Sequence, residues 1–83
     1  MNLKYFSWLK DITNKESEII NDSKIKDIKS LKKYLCTKYP QLKQYILKED
    51  IIRIAINLEY ILSPHHIILP EDEIALFPPV SGG

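Results

Sequence analysis

A small α+β domain is the fold class that this sequence predicts, on three observations. A single segment, from about Asp27 to Tyr39, has the i, i+3, i+7 apolar spacing of an amphipathic helix, through Ile28, Leu31 and Leu35. Short runs of strand character flank it, the clearest at Ile52, Ile54 and Ile56, with Arg53 and Asn57 on the opposite parity. At 83 residues and 45% hydrophobic content, the chain has the material for one modest core. The order that follows is β-β-α-β-β-β, one helix packed across a mixed sheet.

Met1 to Leu9 is apolar and aromatic (Leu3, Tyr5, Phe6, Trp8, Leu9) without a helix cap, and suits a first strand. Leu9 and Ile12 stand three apart and predict one helical turn, followed by a polar connection at Thr13 to Glu16. Ser17 to Ile20 reads as a short second strand that closes at Asn21-Asp22-Ser23. In the helix, Lys29, Lys32, Lys33 and Lys38 mark the wet side, and Asp27 is the N-cap candidate, with Asp22 or Ser23 as competitors. Pro40 ends it, because the residue before a proline avoids helical geometry. Gln41 to Leu47 carries Leu42, Tyr45 and Ile46 and suits another helical turn. Glu49-Asp50 breaks the chain before the strand at Ile51 to Asn57, and a short strand follows at Tyr60-Ile61. Ser63 to His66 is a loop, and Glu73 to Phe77 is the last strand.

Twelve basic residues against eleven acidic leave a net charge of +1, which predicts neither a nucleic-acid nor an anionic-membrane partner. A lone Cys36 excludes an internal disulfide and fits a reducing compartment. No basic-plus-apolar leader opens the chain and no apolar run approaches about 18 residues, so a cytoplasmic protein is expected. His65 and His66 are adjacent and point to opposite sides, with no further Cys or His to complete a metal set. Cys36 follows core position Leu35 without a neighbouring histidine and reads as a structural thiol. The helix lysines read as a solvated face, and Tyr5, Phe6 and Trp8 as core or protein interface. Glu71-Asp72-Glu73, on a turn into a strand, cannot converge on one ion, and turn solvation accounts for them. No triad, Gly-rich phosphate loop or zinc spacing is present, so no metal or catalytic side-chain site is expected.

What remains is Phe77-Pro78-Pro79-Val80-Ser81-Gly82-Gly83. The chain has two glycines, both at this end, where average usage of roughly 7% would scatter about six. A Gly-Gly tip lacks Cβ atoms and suits a narrow channel, and the prolines behind it fix φ and would stiffen a stem. These features predict a domain over residues 1–77, an extended tail over 78–83, and a reactive group that is the α-carboxylate of Gly83. Such a carboxylate, ionised near neutral pH, can attack the α-phosphate of ATP and become an acyl donor.

The run from Asp72 through Phe77-Pro78-Pro79-Val80-Ser81-Gly82-Gly83 resembles the end of the small, MoaD-like sulfur carrier subunit of molybdopterin synthase. The likeness extends to Tyr5 through Ile12 and to Ile54-Ala55-Ile56-Asn57. It implies a β-grasp, ubiquitin-like fold. It implies further that Gly83 is adenylated by an ATP-dependent activating enzyme, converted to a thiocarboxylate with the help of a sulfur donor protein, and inserted into the large synthase subunit. There, sulfur would pass to cyclic pyranopterin monophosphate during molybdenum cofactor biosynthesis. Pro78, Pro79, Val80, Ser81 and Gly82 would form the inserted tail, and Phe6, Tyr60 and Phe77 the docking surface. No bound cofactor is implied; ATP is used by the activating enzyme and the catalytic lysine belongs to the large subunit, in a heterotetramer of two small and two large chains. Tyr60 departs from the aliphatic residue usual there. Thiamine-pathway sulfur carriers and ubiquitin-related modifiers also end in Gly-Gly, but usually without the Phe-Pro-Pro stem; a ubiquitin-like protein modifier, or a sulfur carrier of the thiamine or tRNA-thiolation type, remains the alternative.

Overall fold

The computed structural model describes residues 1–79. Strand β1 (Asn2–Tyr5) buries Leu3 and Tyr5 and turns Asn2 and Lys4 outward. It stops there, short of the strand expected through Leu9. Ser7 has φ of 57°, and the amides of Leu9 and Lys10 donate to the carbonyls of Phe6 and Ser7, so Phe6-Ser7-Trp8 is a turn into α1 (Leu9–Thr13). Left-handed Asn14 closes α1 and leads to β2 (Ser17–Ile19).

Helix α2 (Ile28–Lys38) begins as its sequence predicts. Asp27 is extended at the N-cap, its carboxylate accepts from the Ser30 amide at 2.8 Å, and the Ser30 hydroxyl accepts from the Asp27 amide at 3.0 Å. This reciprocal pair satisfies two donors that a helix start otherwise leaves open. Tyr39 is the C-cap, and Pro40 then opens a 3-10 turn (Pro40–Leu42) followed by a π-helical turn (Gln44–Lys48). The single extra turn expected over this stretch is therefore two short ones. Their purpose is visible in Leu42 and Ile46, which they deliver to the core.

Strands β3 (Arg53–Ile56), β4 (Glu59–Ile61) and β5 (Glu73–Phe77) complete a five-stranded sheet of order β2-β1-β5-β3-β4. The central β1 and β5 are parallel, and every other neighbour is antiparallel. Because side chains alternate across a strand, one face carries Leu3, Tyr5, Ile54, Ile56, Ile74 and Leu76, all buried against Ile28, Leu31 and Leu35 of α2. Leu3, Leu31, Leu35 and Ile74 are fully excluded from solvent. Burying each such aliphatic side chain is worth roughly 1.5–3 kcal/mol, which is what holds α2 on the sheet. A central parallel pair and one helix clasped by a mixed sheet make this the β-grasp topology, as the resemblance implied. No helix among the described residues is long and apolar enough to cross a membrane.

Candidate functional site

Among the described residues, no helix covers the sheet face turned away from α2. Strand register puts Lys4 beside Ala75, Ala75 beside Ala55, and Ala55 beside Tyr60, so these share the open face with Phe77. The Phe6 amide donates to the Leu76 carbonyl at 3.1 Å, which carries β1 one residue further along β5 and leaves Phe6 46% exposed. Tyr60 is 49% exposed, and its ring meets Phe77 edge-to-face with centroids 6.3 Å apart. The structure thus brings Tyr60 and Phe77 into contact and sets Phe6 at the same end of the sheet. Ala55 and Ala75 are too small to fill the space between strands, so the aromatic rings stand above a shallow floor. The opposite end of the face is polar, with Lys4 and Glu73 paired at 3.2 Å.

Phe77 ends β5 half-buried, Pro78 continues from it partly covered, and Pro79 is exposed. Val80, Ser81, Gly82 and Gly83, which the sequence marks as tail and reactive end, lie outside the described residues.

Sequence reasoning missed the clamp that fixes where β5 starts. Asn57 and Leu58 form the two-residue turn between β3 and β4, both left-handed, with φ of 50° and 69°. The Asn57 side chain donates to Asp72 Oδ1 at 2.9 Å and accepts from the Glu73 amide at 3.0 Å. Asp72 accepts from the Leu69 amide through its other oxygen at 2.8 Å. Asp72 is consequently 6% exposed, a buried anchor where turn solvation is the sequence expectation. The one available signal was Asn57 itself, since asparagine tolerates left-handed backbone in a hairpin turn.

A second missed cluster centres on Glu18. The Tyr5 hydroxyl donates to Oε2 at 2.6 Å, the Tyr39 hydroxyl donates to the same oxygen, and Lys38 pairs with Oε1. Burial by itself pushes the Glu18 carboxyl up, but the hydrogen bonds from Lys38, Tyr39 and Tyr5 prevail and hold it at about 2. Burial and the Glu18 charge raise the Tyr5 hydroxyl in turn. This network ties β1, β2 and the end of α2 together, and it lies off the open face. Cys36 is half-buried and burial pushes its thiol up, the reverse of what a nucleophile needs. Among the described residues no group of His, Cys, Asp and Glu is placed to hold a metal ion.

A mixed five-stranded sheet clasping one main helix is the ubiquitin-like β-grasp fold. The chain belongs to the ThiS family, which it matches over residues 3–83, and it is a ubiquitin-like sulfur carrier of the ThiS/MoaD type. Among solved structures it is similar to small archaeal modifier protein 1 (SAMP1) from Haloferax volcanii, at 25% identity over 100% of this chain and 98% of that one, with a TM-score of 0.81. It shares its fold with subunit 1 of the molybdopterin converting factor from Pyrococcus furiosus, at 21% identity over 95% of each chain and a TM-score of 0.81. The same fold is present in the complex of subunits 1 and 2 of that factor from Helicobacter pylori, with 24% identity, 99% and 96% coverage, and a TM-score of 0.67.

Proposed function

We propose that this chain is the sulfur carrier subunit of a molybdopterin synthase, with Gly83 as its working residue. The observation that carries this reading is the run Phe77-Pro78-Pro79-Val80-Ser81-Gly82-Gly83, whose first residue ends β5 in contact with Tyr60 on the open face. In this reading residues 1–77 are the folded handle and residues 78–83 the tail. The Gly83 carboxylate attacks the α-phosphorus of ATP on an activating enzyme, pyrophosphate leaves, and an acyl-adenylate forms. Sulfide, delivered through a sulfur donor protein, then attacks the acyl carbon, and AMP departs to leave the thiocarboxylate. The carrier docks on the large synthase subunit through Phe6, Tyr60 and Phe77, and Pro78 through Gly83 enter that subunit's pocket. Two rounds of transfer to cyclic pyranopterin monophosphate supply the sulfurs of the dithiolene. The catalytic lysine belongs to the large subunit, the assembly holds two copies of each chain, and the setting is cytoplasmic. The protein complex from Helicobacter pylori supports the idea of a second subunit for this fold.

A second reading is a protein modifier joined to lysine amines through Gly83, and the likeness to small archaeal modifier protein 1 over the whole chain favours it. Both share chemistry as far as the adenylate. Reconstitution with activating enzyme, ATP and a sulfide source, followed by intact-mass analysis, distinguishes them. Sulfur-for-oxygen replacement at Gly83, and molybdopterin production once the large subunit and its substrate are added, is the expected result. Conjugates to other proteins without thiocarboxylate would establish the modifier instead. Deleting Gly83 should abolish sulfur transfer while leaving the fold intact; transfer by the shortened chain would defeat the mechanism.

A further inference from the structure

The near-neutral total charge conceals a strong local asymmetry. Residues 24–48, which hold α2 and the two turns after it, contain eight lysines and one acidic residue, Asp27. The rest of the chain is left with four basic and ten acidic residues, so a +7 segment faces a remainder of −6. Lys29, Lys32, Lys33 and Lys43 of this segment border one groove of about 430 Å³ between α2 and the π-helical turn. Among the described residues none of these four lysines has a carboxylate partner: the three ion pairs are made by Lys4, Lys15 and Lys38.

The groove is not a purely polar one. Cys36 and Leu47 contribute apolar surface, with Leu47 56% exposed, and Pro64 closes one side. The Lys29 amide donates to the Pro64 carbonyl at 3.0 Å, so that wall is tied to α2. A lysine rim around an aliphatic patch suits a ligand that is both anionic and apolar. A phosphate backbone would leave Leu47 uncovered, and a neutral apolar segment would leave four ammonium groups without partners. We infer that this groove is a second docking surface, on the side of the molecule opposite the open sheet face, for an acidic segment with interspersed aliphatic residues on a partner protein. Since Ile28, Leu31 and Leu35 point from α2 into the core, the groove side faces away from the sheet, and both surfaces can be occupied at once. The surface is separate from the Gly83 chemistry, and its existence does not depend on which carrier role the tail serves.

The test is a titration of the isotopically labelled chain with a short synthetic peptide alternating glutamate and leucine, followed by amide chemical shifts. Saturable shifts at Lys29, Lys32, Lys33, Lys43 and Leu47, with Lys4, Ala75 and Phe77 unmoved, are expected. Lys32→Glu and Lys43→Glu should each weaken binding about fivefold, as should added salt. Leu47→Ser should weaken it without altering the circular dichroism or the yield of thiocarboxylate on Gly83. Absence of saturable shifts at these amides would overturn the inference, as would equal binding of polyglutamate without leucine. A stronger response to a single-stranded oligonucleotide, or shifts confined to the sheet face, would overturn it too.

Discussion

Glu18 links three elements through one carboxylate. Its side chain is 9% exposed and is met by two tyrosine hydroxyls and the Lys38 ammonium, so its charged form is favoured in the folded chain. The folded value of about 2 lies below the ordinary 4.5 of an unfolded chain. The stability it contributes is thus present in full above pH 4.5 and is lost as the pH falls through 2, an amount of up to roughly 3 kcal/mol. Denaturant unfolding of the wild type should show that loss, and Glu18→Gln should be weaker at pH 7 while flattening this part of the pH profile. A variant with the same acid slope as the wild type would show that Glu18 is not its source. Asn57 is the second residue with an outsized role, because it combines a left-handed backbone with bonds to Asp72 and Glu73. Asn57→Ala leaves buried Asp72 short of a donor and forces alanine into positive φ. A loss of about 2–3 kcal/mol is expected by urea unfolding.

At the scale of elements, the legible ones were those whose signals are local. The Asp27 cap, the three-residue apolar stripe of α2 and the Pro40 stop are all set within a few residues of sequence, and α2 lies where they place it. Strand β5 is likewise found at Glu73–Phe77 as expected. Phe6 and Trp8 have strand propensity and extend the expected β1 to Leu9, yet Ser7 turns left-handed and sends Leu9 into the core. Propensity yields there to the burial of one leucine. The scarcity of glycine also leaves a mark, since the β3–β4 turn uses Leu58 at φ of 69°, 94% exposed and touching little. Leu58→Gly should relieve backbone strain and raise stability by somewhat less than about 1 kcal/mol, the flexibility of unfolded glycine offsetting part of the gain. Leu58→Val should lower it, because a β-branched side chain fits positive φ less well. Thermal melts of the two variants should move in opposite directions.

Over the whole molecule, a carrier needs a stable body and an accessible working face, and the β-grasp separates the two. The core lies on one side of the sheet, covered by α2 together with Leu9 of α1 and Leu42 and Ile46 of the two turns, while Phe6, Tyr60 and Phe77 belong to the other side. On the proposed synthase reading, replacing Phe6 and Tyr60 by serine should therefore weaken association with the large subunit about tenfold or more while shifting the melting temperature little. Calorimetric titration against that subunit checks the first part and a melt the second. An unchanged affinity would remove the open face from the docking scheme. The charge division is already present in the stretch 24–48, and the fold sets four of its lysines, Lys29, Lys32, Lys33 and Lys43, around one groove.

Sequence alone determined the fold class, the span and cap of the helix, the inward parity of Ile52, Ile54 and Ile56, and the motif of the tail. Each depends on residues close together in the chain or on residue types that spacing can reveal. Tertiary structure decided the burial of Asp72, the gathering of Tyr5, Lys38 and Tyr39 around Glu18, the pairing of Tyr60 with Phe77, and the lysine-rimmed groove. The physical reason is common to the first three. A carboxylate on a turn looks solvated until a distant amide reaches it, and a ring has no partner until strand register supplies one. Asp72 and Asn57 are fifteen residues apart, and only the closed sheet makes them neighbours.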